Sequence, residues 1–173
     1  MTKKDIQKLF TLLNAELKKD RVVGELYVVG GAVMCLVFNA RPSTKDVHAY
    51  LQPQSKMRQA AARVAAKSGL SDDWLNDGVK GFLSDKGTYD SFLELSHLKV
   101  FAAKADYLLA MKCMAFRIGE EFQDVDDIRY LLRHLGISTY KKAIAVISAF
   151  YPIKKFPQKT FYALEELLSK PTP

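Results

Sequence analysis

No stretch of this chain approaches the roughly 18–20 consecutive apolar residues that crossing a bilayer requires. Met1 to Lys19 also lacks the apolar core of a secretory signal. Only two cysteines occur, Cys35 and Cys113, each embedded in apolar surroundings and neither in a Cys-x-x-Cys pair. That speaks against a disulfide framework and leads us to expect reduced core thiols in a cytoplasmic protein with no membrane attachment. Internal repeats, low-complexity tracts and long runs of like charge are missing too.

What is present is an ordinary globular composition. The chain has 173 residues, of which 49% are apolar and 26% charged, so disorder is not expected. The length suits one domain, or one compact domain with a helical appendage. The net charge of +7 favours polyanionic partners: nucleotides, nucleic acid or an acidic protein. The cations are scattered in short pairs such as Lys18-Lys19, Lys141-Lys142 and Lys154-Lys155. Each pair reads most simply as part of a solvated helix face.

Periodicity divides the chain into two regions. Ile6, Leu9, Phe10, Leu13 and Leu17 have helical spacing after a Thr2-x-x-Asp5 start that resembles a capping box. A short β-rich segment, 25–29, runs into Gly30-Gly31, and the unalternating apolar stretch 32–38 suits a buried helix. Residues 39–43 form a loop at Pro42. A second strand spans about 47–51, and a helix covers 55–67 with Gly69 as its stop. Residues 71–87, with three glycines, have no clear period. Strands are expected at 89–95 and 98–102, joined tightly at Ser96-His97, and helices at 105–117, 124–134, 138–150 and 158–169. The expected class is α/β (α+β): a small mixed sheet with flanking helices over 1–104, followed by a helical bundle over 105–173.

The chemistry-bearing stretch is Val28-Val-Gly-Gly-Ala32 followed by Arg41-Pro-Ser-Thr-Lys-Asp-Val-His-Ala-Tyr-Leu51. Two glycines where a strand meets a helix allow a sharp turn and let a phosphate approach backbone N–H groups. On a strand, residues i and i+2 share a face, so Asp46 and His48 stand side by side while Val47 and Ala49 face the core. Two ligands spaced this way can share a metal ion, the arrangement that metal-assisted phosphoryl transfer uses.

Gly-Gly, a helix, a loop with Arg-x-x-Thr and then Asp-x-Asp on a strand is the signature of the DNA polymerase β-like nucleotidyltransferases. The chain resembles that superfamily, and its small bacterial stand-alone and toxin–antitoxin members above all. The segment Ala105 to Arg117, followed by Asp124-Val-Asp-Asp-Ile128, is similar to their helical part, and the resemblance covers roughly residues 25–135. It implies a nucleotidyltransferase fold and metal-dependent transfer of a nucleoside monophosphate from a nucleoside triphosphate to a hydroxyl of RNA, protein or a small molecule. Asp46, residue 48 and Glu94 would hold Mg²⁺ (or Mn²⁺), with Glu94 completing the metal site or acting as general base. Gly30, Gly31, Arg41 and Thr44 would face the phosphates, as would Lys112. The implied partners are the triphosphate, tRNA or another RNA, and an antitoxin protein.

His48 departs from the pattern, because family members carry Asp there. Imidazole is a poor ligand for Mg²⁺ and removes a negative charge, which implies impaired activity. Three explanations fit: an inactive homologue that still binds nucleotide or a partner, an enzyme using a nitrogen-accepting metal such as Mn²⁺, or an inactivating Asp-to-His change. A plain hydrogen bond between His48 and Asp46 is the simpler alternative. Asp90 is the runner-up to Glu94, and an isolated Glu on a strand is commonly solvent-facing. His97 and His134 read as structural. Asp124, Asp126 and Asp127 read as caps and dipole partners of a helix. Trp74, Tyr27, Tyr50 and Phe92 suit either base stacking or the core.

Overall fold

Thr2 opens the first helix through a reciprocal cap: its hydroxyl accepts from the Asp5 N–H, and the Asp5 carboxylate accepts from the Thr2 N–H. This helix, α1 (Lys3–Lys19), buries Ile6, Leu9, Phe10, Leu13 and Leu17, the face its spacing implied. In the computed structural model, which describes residues 1–117 and 123–169, two compact units follow from such elements. One comprises 1–81 with 89–103, and the other 82–88 with 104–173.

The first unit is built on five strands: β1 (Gly24–Val29), β2 (Val47–Gln52), β3 (Leu75–Asn76), β4 (Tyr89–Glu94) and β5 (Leu98–Ala103). Their spatial order is β3-β2-β1-β5-β4. β1 is antiparallel to β2 and parallel to β5, β3 is parallel to β2, and β4 is antiparallel to β5. The sheet is therefore mixed, and the described residues hold seven α-helices, as an α+β architecture requires. Short α2 (Gly31–Leu36) follows β1 and is buried from Ala32 to Leu36; α3 (Gln54–Ser68) ends at Gly69 in the left-handed conformation. α1 and α3 lie side by side and pack against β5 and β2. The face they cover holds Leu26, Val28, Val47, Ala49, Leu51 and Val100, all at most 1% exposed. The Trp74 indole is core, donating from Nε1 to the Ala61 carbonyl at 3.1 Å.

The second unit consists of α4 (Ala105–Met114), α5 (Asp124–His134), α6 (Tyr140–Ser148) and α7 (Gln158–Ser169). α4 stops three residues short of the expected end, and α6 is trimmed at both ends. Tyr107, fully buried, organises segment 82–88: its hydroxyl accepts from the Ser84 N–H at 3.0 Å, and the Ser84 hydroxyl donates to the Phe150 carbonyl at 2.6 Å. Thr160 donates to the Cys113 carbonyl at 2.7 Å, tying α7 to the end of α4. Both cysteines are free and buried, and burial pushes the Cys113 thiol well above its ordinary value. No helix among the described residues is long and apolar enough to cross a membrane.

α1 and α3 are joined by one acidic side chain amid cations. Glu16, buried on α1, accepts from Lys19 at 2.7 Å, from Arg63 at 2.9 Å and from Lys67. Hydrogen bonds from Lys19, Lys67 and Arg63 outweigh the opposing effect of burial and hold its pKa down to about 2, against 4.5 for an ordinary Glu. A carboxylate whose folded pKa is lowered contributes stability above its unfolded value, and that stability is lost as pH falls through the folded value. We therefore expect the melting temperature to fall between about pH 4.5 and pH 2. Glu16→Gln, less stable at neutral pH, is expected to show a flatter acid limb over that window. Parallel Tm-against-pH curves for the two proteins would contradict this role.

Candidate functional site

The pairing of β1 with β2 brings the glycine turn to the polar strand. Val29 lies opposite His48, so β1 ends and turns at Gly30 beside that imidazole. Gly30 has φ +68°, a conformation that disfavours side chains, and a Cβ there would lie 3.8 Å from His48 Cδ2. Gly31 is needed for a different reason. A Cβ on it would lie 3.0 Å from both Arg41 Nη1 and Thr44 Oγ1, so the 39–46 loop packs closely over it and would have to give by a few tenths of an ångström to admit a side chain. That loop is held from outside: the Met1 ammonium donates to the Thr44 carbonyl at 2.7 Å, the Thr44 N–H donates to the Met1 carbonyl at 2.9 Å, and Thr2 pairs with Ser43. The Thr44 hydroxyl donates to the Asp46 carbonyl at 3.1 Å. Gly30, Gly31, Arg41, Thr44, Asp46 and His48 thus form one neighbourhood.

Asp46 and His48 lie side by side as the strand period implied, with Val47 and Ala49 buried behind them. His48 Nε2 is 3.5 Å from Asp46 Oδ1, and the side chains are 36% and 28% exposed, open enough for a ligand to reach. A third residue joins them. Asn76 Nδ2 donates to Asp46 Oδ2 at 3.2 Å, and Asn76 Oδ1 lies 2.8 Å from His48 Nδ1. Asn76 comes from β3, in the segment without a clear period, and its only sequence signal is its place just before Asp77-Gly78. Asp77 anchors that strand end to α3, accepting from Gln54 at 2.6 Å and from Arg58 at 2.7 Å, with Lys80 at 2.8 Å. Lys80, with Arg58, holds the Asp77 carboxyl down to about 2 against the opposing effect of burial.

Glu94 is not brought to this group. It pairs with Lys99, in the sheet row that continues through Glu25 to Gln52, four residues along β2 from His48. With three inter-strand spacings also between them, the separation is roughly 19 Å from standard strand spacings. Asp90 lies opposite Ala102, whose row faces α1 and α3, so it occupies the other side of the sheet from His48. Among the described residues, no three His, Cys, Asp or Glu side chains converge as a metal-binding group. The pair offers one carboxylate oxygen and one imidazole nitrogen. That donor set fits a nitrogen-accepting ion such as Mn²⁺ better than Mg²⁺.

On the same sheet face as His48, Tyr27 stacks on Phe101 at 4.9 Å, meets Tyr89 edge-on at 5.2 Å and lies 6.1 Å from Tyr50. The Tyr27 hydroxyl donates to Glu25 at 2.8 Å, which raises its pKa. His97 sits in the β4–β5 turn, its N–H donating to Asn14 at 2.8 Å, and His134 stacks on Tyr130 at the end of α5.

Lys112 belongs to the helical unit. It is 8% exposed, and its ammonium lies 2.9 Å from Asp124 and 2.7 Å from Asp127. Asp124 also accepts from Arg117 Nε at 3.1 Å. Burial pushes the Asp124 carboxyl up, but Lys112 and Arg117 outweigh it and the net shift is downward. Asp124 and Asp127 do stand in the first turn of α5, yet their carboxylates are engaged by Lys112, while Asp126 pairs with Arg129 at the surface. No family model, curated protein or solved structure matches the chain.

Truncating one partner of a buried ion cluster strands the others. Lys112→Met is expected to cost about 3–5 kcal/mol in urea unfolding. Adding Asp124→Asn and Asp127→Asn to that variant should recover a substantial part. A Lys112→Met protein as stable as the parent would contradict the cluster.

Proposed function

We propose that the neighbourhood of Gly30, Gly31, Arg41, Thr44, Asp46 and His48 is a nucleotidyltransferase-type nucleotide site, in a chain of that fold, whose transfer activity is impaired. The observation that carries the reading is the Val29–His48 pairing, which sets a glycine turn, an Arg-x-x-Thr loop and the Asp46/His48 pair beside one another. In this reading a nucleoside triphosphate binds with its phosphates toward Gly30, Gly31 and Arg41. Asp46 and His48 hold a divalent cation, which supplies positive charge to the phosphates. Thr44 fixes the loop through the Asp46 carbonyl. Lys112, already matched by two carboxylates, supports the helical unit rather than the phosphates.

The position of Glu94 favours a second reading. With one carboxylate at the site and, among the described residues, no second one joining Asp46 and His48 to accept a proton from an incoming hydroxyl, the site suits nucleotide sensing or partner binding better than rapid turnover. The acceptor of the first reading is a hydroxyl of RNA, protein or a small molecule. In the second, the net charge of +7 suits an RNA or an acidic antitoxin partner.

Calorimetric titration with each nucleoside triphosphate and Mn²⁺, paired with a transfer assay using labelled triphosphates and bulk tRNA, separates the readings. We expect nucleotide binding that Asp46→Ala abolishes, little or no transfer with Mg²⁺, and a gain in transfer for His48→Asp. Binding without transfer in both forms selects the sensing module. Full Mg²⁺-dependent transfer that survives Asp46→Ala contradicts the metal assignment, and the absence of nucleotide binding in either form contradicts the whole reading.

A further inference from the structure

The proton on His48 is fixed by two backbone groups that do not touch His48. Asn76 Nδ2 donates to the Asp73 carbonyl at 3.0 Å, and Asn76 Oδ1 accepts from the Gly78 N–H at 3.1 Å. A carbonyl can only accept and a backbone N–H can only donate, so these two contacts set which end of the amide is which. The atom 2.8 Å from His48 Nδ1 is therefore the amide oxygen, and Nδ1 must carry a hydrogen to donate to it. In the neutral imidazole, that leaves the lone pair on Nε2, the nitrogen that faces Asp46 Oδ1 at 3.5 Å.

Protonated on both nitrogens, the ring pairs with Asp46 directly; neutral, its Nε2 lone pair faces a carboxylate oxygen, which is repulsive unless a metal cation stands between them. The spacing matches such a cation. Two ligands each about 2.1 Å from a tetrahedral ion lie about 3.4 Å apart. Around an octahedral Mg²⁺, adjacent ligands lie only about 2.9 Å apart, and its preferred donors are oxygens. An acceptor on the far nitrogen of a ligating histidine is also the usual way proteins orient such a ring and raise its basicity.

We propose that Asn76 is a positioning residue that holds His48 as the Nδ1–H tautomer, so that His48 Nε2 and Asp46 Oδ1 form a ligand pair selective for a nitrogen-accepting divalent cation of the Zn²⁺/Co²⁺ class over Mg²⁺. This deepens the metal assignment made above and rests on it, but not on nucleotide binding. Water or a ligand's phosphate fills the remaining coordination positions. Asp46 Oδ2 stays on Asn76 Nδ2, so one amide orients both ligands.

The test uses the full chain without a histidine tag, at pH 8 and without nucleotide. Titration with ZnCl₂ and CoCl₂, followed by calorimetry and by visible absorption of bound Co²⁺, should show one equivalent bound and not displaced by excess MgCl₂. His48→Ala should abolish that binding. Asn76→Leu should weaken it about 10- to 100-fold, whereas Asn76→Asp, which keeps the acceptor for Nδ1–H but loses the donor to Asp46, should weaken it less. In the metal-free parent, nitrogen-detected NMR of His48 should show the Nδ1–H tautomer, a readout that needs no folded variant. The proposal is overturned by an Nε2–H tautomer, by the absence of Zn²⁺ and Co²⁺ binding, by binding unchanged in His48→Ala, or by Mg²⁺ competing on equal terms. Zn²⁺ binding without any nucleotide binding supports the ligand pair and sinks the nucleotide reading alone.

Discussion

β2 has one buried face and one polar face, and its register against β1 decides what each face carries. Val47, Ala49 and Leu51 point into the layer formed by α1 and α3, so Asp46, His48, Tyr50 and Gln52 point the other way. The same register sets Val29 against His48, which fixes where β1 ends and where Gly30 turns. Slipping this pair by one residue would bury Asp46 and His48 and expose three apolar side chains. Burial of those three side chains therefore holds the polar pair in place at no separate cost.

Polar groups then refine what packing has placed. Asn76 reads its own orientation from Asp73 and Gly78 and passes it on to His48 and Asp46. Asp77, gripped by Gln54, Arg58 and Lys80, anchors the strand end that carries Asn76. The other ion clusters join helices instead: Glu16 links α1 to α3, and Lys112 links α4 to α5. Although the chain is basic overall, several of its cations are engaged in such structural pairs. The net charge of +7 is therefore a poor guide to where a polyanion would bind.

Most of the helix and strand pattern was legible in the sequence, because period and caps act locally. Thr2 and Asp5 signalled the start of α1, Gly69 the end of α3, and Ser96-His97 the turn between β4 and β5. The adjacency of Asp46 and His48 followed from strand period alone. Asn76 could not be read, because β3 is two residues long and forms only through pairing with β2. Strand order was equally hidden. Glu94 sat plausibly between apolar residues, but only the pairing of β4 with β5 shows it at the opposite end of the sheet. The two buried carboxylate neighbours of Lys112, 12 and 15 residues further along the chain, were hidden in the same way.

In the proposed reading, a cation and the phosphates of a nucleotide meet at Asp46 and His48. Paramagnetic broadening of backbone amide NMR signals by substoichiometric Mn²⁺, with a nucleoside triphosphate present, reports that location directly. The losses are expected to centre on Gly30, Gly31, Val47 to Ala49 and Asn76, with β4 around Glu94 unaffected. Broadening centred on Glu94 or on Asp124 and Asp127, or spread evenly over the chain, would contradict it.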